Sequence, residues 1–164
     1  MADIKKSQLL QTNTGILNRD ACIVLVKTEW NAAIVDELEQ GCLRVFAKDN
    51  QVTVVTIVVP GAVEIPFIIQ RYFREKTGTL RPDAFIALGC VIRGDTPHFD
   101  YVCEAVNEGV LQLNLTLPVP VIFGVLTVND EQQAVERTGG SHGHKGEEAA
   151  VTALKMIALN RSIN

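Results

Sequence analysis

The sequence predicts an α/β fold, a three-layer αβα sandwich with a four-stranded parallel sheet. Two observations carry the prediction. Four runs, ACIVLVK (21–27), VTVVTIVV (52–59), DAFIALGCVI (83–92) and VPVIFGVLT (119–127), are too continuously apolar for strands with one wet face. Between them, apolar residues recur every three to four positions, the spacing of amphipathic helices. Regular alternation of the two patterns fits a parallel sheet covered by helices on both sides. At 164 residues the chain suits one domain, assigned to 21–164. Residues 1–20 are polar and aperiodic and read as a flexible N-terminal arm.

The elements follow in order. ACIVLVK is a buried strand. Over 30–47, Trp30, Ala33, Ile34, Leu38, Cys42, Val45 and Phe46 outline the first helix. VTVVTIVV is rich in β-branched residues and reads as a second buried strand, closed by Pro60-Gly61. A helix fits Glu64 to Lys76, and Pro66 is tolerable only in its first turn. DAFIALGCVI is the third strand. Val102, Cys103, Val106, Val110, Leu111 and Leu113 mark a helix that stops before Pro118. Gly109 within it implies close packing, against either a core neighbour or a partner subunit. VPVIFGVLT is the fourth strand. Asp130–Arg137 is a short helix ended by Gly139-Gly140, and a final helix follows the loop SHGHK.

Composition narrows the function. The net charge is −4 and no Lys/Arg cluster breaks the balance, which argues against nucleic acid as a partner. The longest apolar run, VTVVTIVVPGAV, is too short for a bilayer and contains Pro and Gly. The N-terminus has no hydrophobic signal core. Cys22, Cys42, Cys90 and Cys103 form no C-x-x-C pair and lie in apolar runs, so they read as buried, reduced thiols of a cytoplasmic protein.

In an open parallel sheet, ligands bind beyond the carboxyl ends of the strands. Unusual residues collect there: Glu29, Trp30 and Asn31 after strand one, then Gly61, Ala62, Val63 and Glu64 after strand two. Arg93, Gly94, Asp95, Thr96, Pro97 and His98 follow strand three. Each alone has a plainer reading: Trp30 as a core aromatic, Glu64 as a first-turn acid facing a helix dipole, His98 as a surface histidine. Their concentration on one edge favours a site. The RGDT turn offers backbone N–H groups and a hydroxyl to an anion, but it lacks the spacing of a P-loop or a dinucleotide fingerprint.

The stretches VVPGAVEIPF (58–67), ALGCVIRGDTPHFDYV (87–102), VPVIFGVLT (119–127), EQQAVERTGG (131–140) and HKGEEAAVTALKM (144–156) closely resemble the lumazine synthases. The likeness runs from about residue 20 to the C-terminus, and the GCVIRGDTPHFDYV pattern is highly specific. It implies a flavodoxin-like sheet and a reaction of riboflavin biosynthesis. In that reaction 5-amino-6-(D-ribitylamino)uracil and 3,4-dihydroxy-2-butanone 4-phosphate give 6,7-dimethyl-8-ribityllumazine, phosphate and water. No metal or organic cofactor is implied.

The resemblance also implies roles. Trp30 stands where the family has an aromatic, often Phe, to stack on the pyrimidine. Asn31, Ala62, Val63 and Glu64 match the ribityl-binding loops, and Cys90, Val91 and Ile92 match the strand end framing the pyrimidine. Cys90 reads as a small wall residue, not a nucleophile. Gly94, Asp95 and Thr96 match the phosphate turn, and Arg137 and Lys145 match basic groups at the same anionic end. Phe123 and Arg137 match residues supplied by an adjacent subunit, within a homopentamer or a multiple of it. His98 matches the proton-transfer histidine; an imidazole, with an ordinary pKa of about 6.5, both accepts and donates near neutral pH. Riboflavin synthase is a candidate partner. Competing readings are a non-catalytic lumazine or flavin carrier, a shell-forming paralogue, and a metal site at His142 and His144.

Overall fold

The computed structural model describes residues 16–163. The main sheet has four parallel strands in the order β2-β1-β3-β4: β1 (Ala21–Thr28), β2 (Val52–Val59), β3 (Ala84–Ile92) and β4 (Val121–Val128). The helices are α1 (Ala32–Phe46), α2 (Ile65–Glu75), α3 (His98–Thr116), the short α4 (Glu131–Val135) and α5 (Lys145–Ile163). A small antiparallel hairpin, β5 (Thr138–Gly140) and β6 (Gly143–His144), separates α4 from α5.

Strand alternation divides the core in two. Ile23 and Leu25 of β1 and Ile86 and Leu88 of β3 face α1 and α5, where they meet Leu38, Leu154 and Ile157. Cys22, Val24 and Val26, with Phe85 and Ala87, face α2 and α3 and meet Ile65, Ile69, Val106 and Val110. Both faces of β1 and β3 are therefore dry, which is why those strands read as unbroken apolar runs.

Gly109 packs inside the chain. A Cβ there would come within 2.4 Å of Pro66 Cγ, so α3 touches the first turn of α2. The core neighbour is thus the partner of this glycine. Pro66 sits in the first turn of α2, where its missing N–H costs no helical bond.

Three expectations need correction. VTVVTIVV is an edge strand, and Thr53, Thr56 and Val58 are exposed, because only β1 pairs with it among the described residues. The residue pair Gly139-Gly140 does not end a helix. The helix stops at Val135, and the glycines belong to the β5 strand of the hairpin, with Gly139 at φ 119. Of the four thiols, Cys22, Cys42 and Cys90 are buried, but Cys103 on α3 is only half-buried.

Most of the expected N-terminal arm, residues 1–15, lies outside the described residues. Leu17 is buried against the core, and Arg161 Nη1 and Nη2 donate to the carbonyls of Arg19 and Asp20. The segment leading into β1 is thereby tied to the end of α5.

Candidate active site

After β2 the chain turns back to build β3 on the far side of β1. The crevice over these strand ends is the switch point where α/β proteins bind ligands. Here it is a cleft of about 540 Å³. Trp30, Asn31, Ala62, Val63, Glu64, Cys90, Val91, Ile92 and His98 all line it. Nine of the expected site residues are therefore brought together by one chain.

Local bonds set the β1–α1 turn. Glu29 N–H continues the parallel ladder to the carbonyl of Val59 at 2.8 Å. The buried Thr28 hydroxyl donates to the carbonyl of Trp30 at 3.0 Å. Asn31 adopts the left-handed region, φ 58 and ψ 40, which Asn tolerates better than most residues. Its side-chain amide donates to the Cys90 carbonyl at 2.8 Å, bridging the turn to the end of β3. These bonds hold the backbone while the indole of Trp30 stays 73% exposed. Trp30 is therefore not a core aromatic.

Gly61 leaves a gap between two side chains. A Cβ there would meet Glu64 Oε2 at 3.0 Å and Trp30 Cδ1 at 3.7 Å. The carboxylate and the indole thus approach the same piece of backbone. Glu64 ends a single 3-10 turn, Ala62–Glu64, that feeds α2. Cys90 forms the floor, and burial, with a smaller effect of Glu131, pushes its thiol up to about 11. A thiol so raised remains protonated near neutral pH, as a wall residue needs and a nucleophile does not.

The 93–97 turn is pinned at its base. Arg93 N–H bonds the carbonyl of Val128 at 2.9 Å, and its guanidinium pairs with Asp100 at 2.8 Å and stacks 4.1 Å over the ring of Phe99. Beyond that brace, Gly94, Asp95 and Thr96 are exposed, and a Cβ on Gly94 would meet no described residue within 4 Å. His98 is the first residue of α3, capped by Pro97, so its imidazole stands at the helix entrance on the cleft wall.

Phe123, Arg137 and Lys145 are elsewhere. They line a second cleft, also about 540 Å³, between β4 and α5, with Glu148 and Thr152. Among the described residues, none lines both clefts. Arg137 Nη1 donates to the carbonyl of Gln133 at 2.7 Å, which fixes the guanidinium and leaves its other N–H groups for an anion. Lys145 is buried, and its Nζ lies 2.7 and 2.9 Å from the two oxygens of Glu148, so its charge is already matched within the chain.

His142 and His144 do not converge. His142 is exposed and lies 3.7 Å from Glu136, whereas His144 is buried under α1. Among the described residues, no three His, Cys, Asp or Glu side chains gather as a metal-ligand set.

Sequence reasoning placed Gly61 on this edge but missed Thr28 and Val102 in the first cleft, and Glu148 and Thr152 in the second. Thr28, the last residue of an otherwise apolar strand, carried a usable signal. Glu148 stands three residues after Lys145 in the first turn of a helix, the spacing of a side-chain pair.

A crevice at a switch point, lined by an indole, a carboxylate and an imidazole, is the architecture of an α/β enzyme acting on small molecules. Residues 20–161 match the family model of 6,7-dimethyl-8-ribityllumazine synthase. The chain is 47% identical to the 6,7-dimethyl-8-ribityllumazine synthase of Porphyromonas gingivalis over 146 residues, 87% of this chain and 88% of that one. It is 44% identical to that of Bdellovibrio bacteriovorus, over 85% of this chain and 75% of that one. For that of Bacteroides fragilis the identity is 44%, over 85% and 96%. The chain belongs to the 6,7-dimethyl-8-ribityllumazine synthase family and is a transferase of riboflavin biosynthesis acting on small molecules. Among the described residues, no helix is long and apolar enough to cross a membrane.

Proposed function

We propose that this chain condenses 5-amino-6-(D-ribitylamino)uracil with 3,4-dihydroxy-2-butanone 4-phosphate in a site made of both clefts, one from each of two neighbouring copies. The observation that carries this reading is the division of the family's site residues. One chain gathers Trp30, Glu64, Cys90 and His98 in the switch-point cleft, yet presents Phe123 and Arg137 in a separate cleft beside edge strand β4. A cyclic homo-oligomer, such as a pentamer, sets unlike patches against each other and brings such halves together.

In this site the indole of Trp30 stacks on the pyrimidine from one copy, and Phe123 of the next copy closes it. Such ring contacts contribute about 0.5–1.5 kcal/mol beyond burial. Glu64 accepts hydrogen bonds from ribityl hydroxyls, and Asn31 holds the wall by its bond to Cys90. Amides of the Gly94-Asp95-Thr96 turn and the guanidinium fork of Arg137 hold the phosphate. The 5-amine attacks the ketone to give an imine and one water. Loss of the C3 proton and of phosphate from C4 then leaves an enol that tautomerises to a ketone, and the ribityl-bearing amine closes the ring on that carbonyl as a second water leaves. His98 takes and returns the protons of these steps at the entrance of α3. Lys145, buried with Glu148, contributes at most through that neutral pair.

The domain, 21–164, acts as one unit in this assignment, and the free thiols fit a cytoplasmic setting. A bare carrier would need neither a proton-transfer group nor a phosphate fork. The test is incubation of the purified protein with both substrates while following the lumazine absorption band, beside a mass measurement. Product with a particle several times 17.9 kDa is expected. Absence of product, or full activity from a 17.9 kDa species, would overturn the proposal.

A further inference from the structure

We infer that His144 is the positioning residue for Arg137, holding the hairpin that carries it by capping α5 and bracing α1. The inference rests on the reading of Arg137 as a phosphate ligand.

The backbone of Arg137 is held from both sides. Its N–H bonds the carbonyl of Ala134 at 3.0 Å, and its carbonyl accepts from Lys145 N–H at 2.8 Å. The second bond comes from the residue directly after His144. His144 itself pairs in register with Thr138, directly after Arg137. Wherever the His144 backbone goes, that of Arg137 follows.

The side chain fixes that backbone. His144 is 7% exposed. Its ring lies on α1 at Gly41, where an added Cβ would come within 2.1 Å of Cε1 and 2.4 Å of Nδ1. On its other side, Cδ2 lies under Gly139 of the hairpin. Nδ1 accepts from Glu147 N–H at 3.4 Å, an N-cap contact to an amide that α5 leaves unpaired. This assigns the proton to Nε2, which is buried without a partner among the described residues. One neutral ring therefore joins α1, α5 and the hairpin.

Protonation would undo this arrangement, because Nδ1 would lose its lone pair and meet a donor with a donor. The charged neighbours are Glu37 and Arg44 on α1 and Glu147 on α5. On the hairpin side, Glu136 lies against His142, and Lys145 is matched by Glu148. Burial outweighs the two glutamates and, helped by Arg44, keeps the pKa of His144 below its ordinary value. The ring thus stays neutral at physiological pH and charges only in acid.

The test is steady-state kinetics of the assembled enzyme, with KM measured separately for each substrate. His144→Ala should raise KM for the phosphate-bearing ketone about tenfold, with kcat and KM for the aminouracil changed less than about twofold. Gly41→Ala, pushing the ring from the α1 side, should move the same constant. His144→Asn offers an amide oxygen near the place of Nδ1 and should recover KM to within about threefold. It should also lose the extra rise in that KM which the parent shows in acid, as pH falls through the lowered pKa of His144. Melting curves establish folding at the assay temperature. If the Ala variant does not fold, the Asn profile decides, and an acid rise identical to the parent's overturns the inference. So does an Ala variant whose kcat and both KM values fall or rise in parallel. Arg137→Ala is the reference. If it leaves KM for the ketone unchanged, the phosphate reading fails and the inference with it; if it raises KM while folded His144→Ala does not, the inference fails alone.

Discussion

Mixing two impaired variants is the sharpest test of a divided site. His98→Ala removes the imidazole from the switch-point cleft, and Arg137→Ala removes the guanidinium from the cleft beside β4. Each alone should be poor. Loss of a general acid–base group costs about 10²–10⁴-fold, and loss of a charge-assisted phosphate contact costs about 1.5–3 kcal/mol. Co-expressed in equal amounts, the two chains assemble at random. A complete site needs an intact His98 on one side of an interface and an intact Arg137 on the other. Each condition holds for about half of the positions, so about a quarter of the sites are whole whatever the ring size. The mixture should therefore show about 25% of the parental kcat/KM for the ketone per site in the lumazine absorbance assay. Separately assembled variants, blended afterwards without subunit exchange, provide the baseline. If the two groups served the same site from the same chain, no assembly could contain both. Co-expression giving only the average of the two parents would refute the shared-site reasoning.

Other outcomes follow from single contacts. Trp30 is the one tryptophan and is 73% exposed, so its emission should be quenched by a bound pyrimidine; Trp30→Ala should raise KM for the aminouracil about 2- to 10-fold. Unchanged emission at saturating ligand would remove the stack. Gly109→Ala should lower stability by about 1–3 kcal/mol in denaturant titrations despite better helix propensity, because the new methyl would sit 2.4 Å from Pro66 Cγ; a more stable variant would contradict that packing. Burial pushes Cys42 up to about 12 and Cys90 up to about 11, so mass spectrometry after brief iodoacetamide treatment at pH 8 should find both unmodified in the folded protein. The depressed pKa of His144 means that the unfolded chain takes up its proton first. Its stabilising contribution is complete above about pH 6.5 and is lost as pH falls through the lower folded value. Denaturant midpoints of His144→Asn should accordingly fall less between pH 7 and pH 5 than those of the parent.

The sequence announced the sheet because β1 and β3 are dry on both faces, which leaves no alternation to confuse with a helix. β2 carries the same β-branched signature but sits at an edge, and composition cannot distinguish an edge from a centre. The β5–β6 hairpin was invisible for another reason. Its strands have three and two residues, and its glycines equally suit a helix end. The site residues after strands one, two and three were readable because parallel topology sends every strand end to one rim. Which cleft receives Phe123, Arg137 and Lys145 was not readable from spacing, since it depends on how α5 returns along β4. His144 looked like a loop histidine. Its burial depends on Gly41, a hundred residues upstream in order of magnitude, and no local pattern reports that contact.

The outer margin of β2 has a consequence for how the protein must be handled. VTVVTIVV is eight residues of high β-propensity with no proline or charge to guard it. Among the described residues, its outward amides and carbonyls meet no strand. Such a margin is a template for any extended segment that drifts past. Newly made chains therefore run a race between burying that margin correctly and adhering to one another through it. Yield of soluble protein should depend on expression rate and temperature more steeply than the well-packed interior alone would suggest.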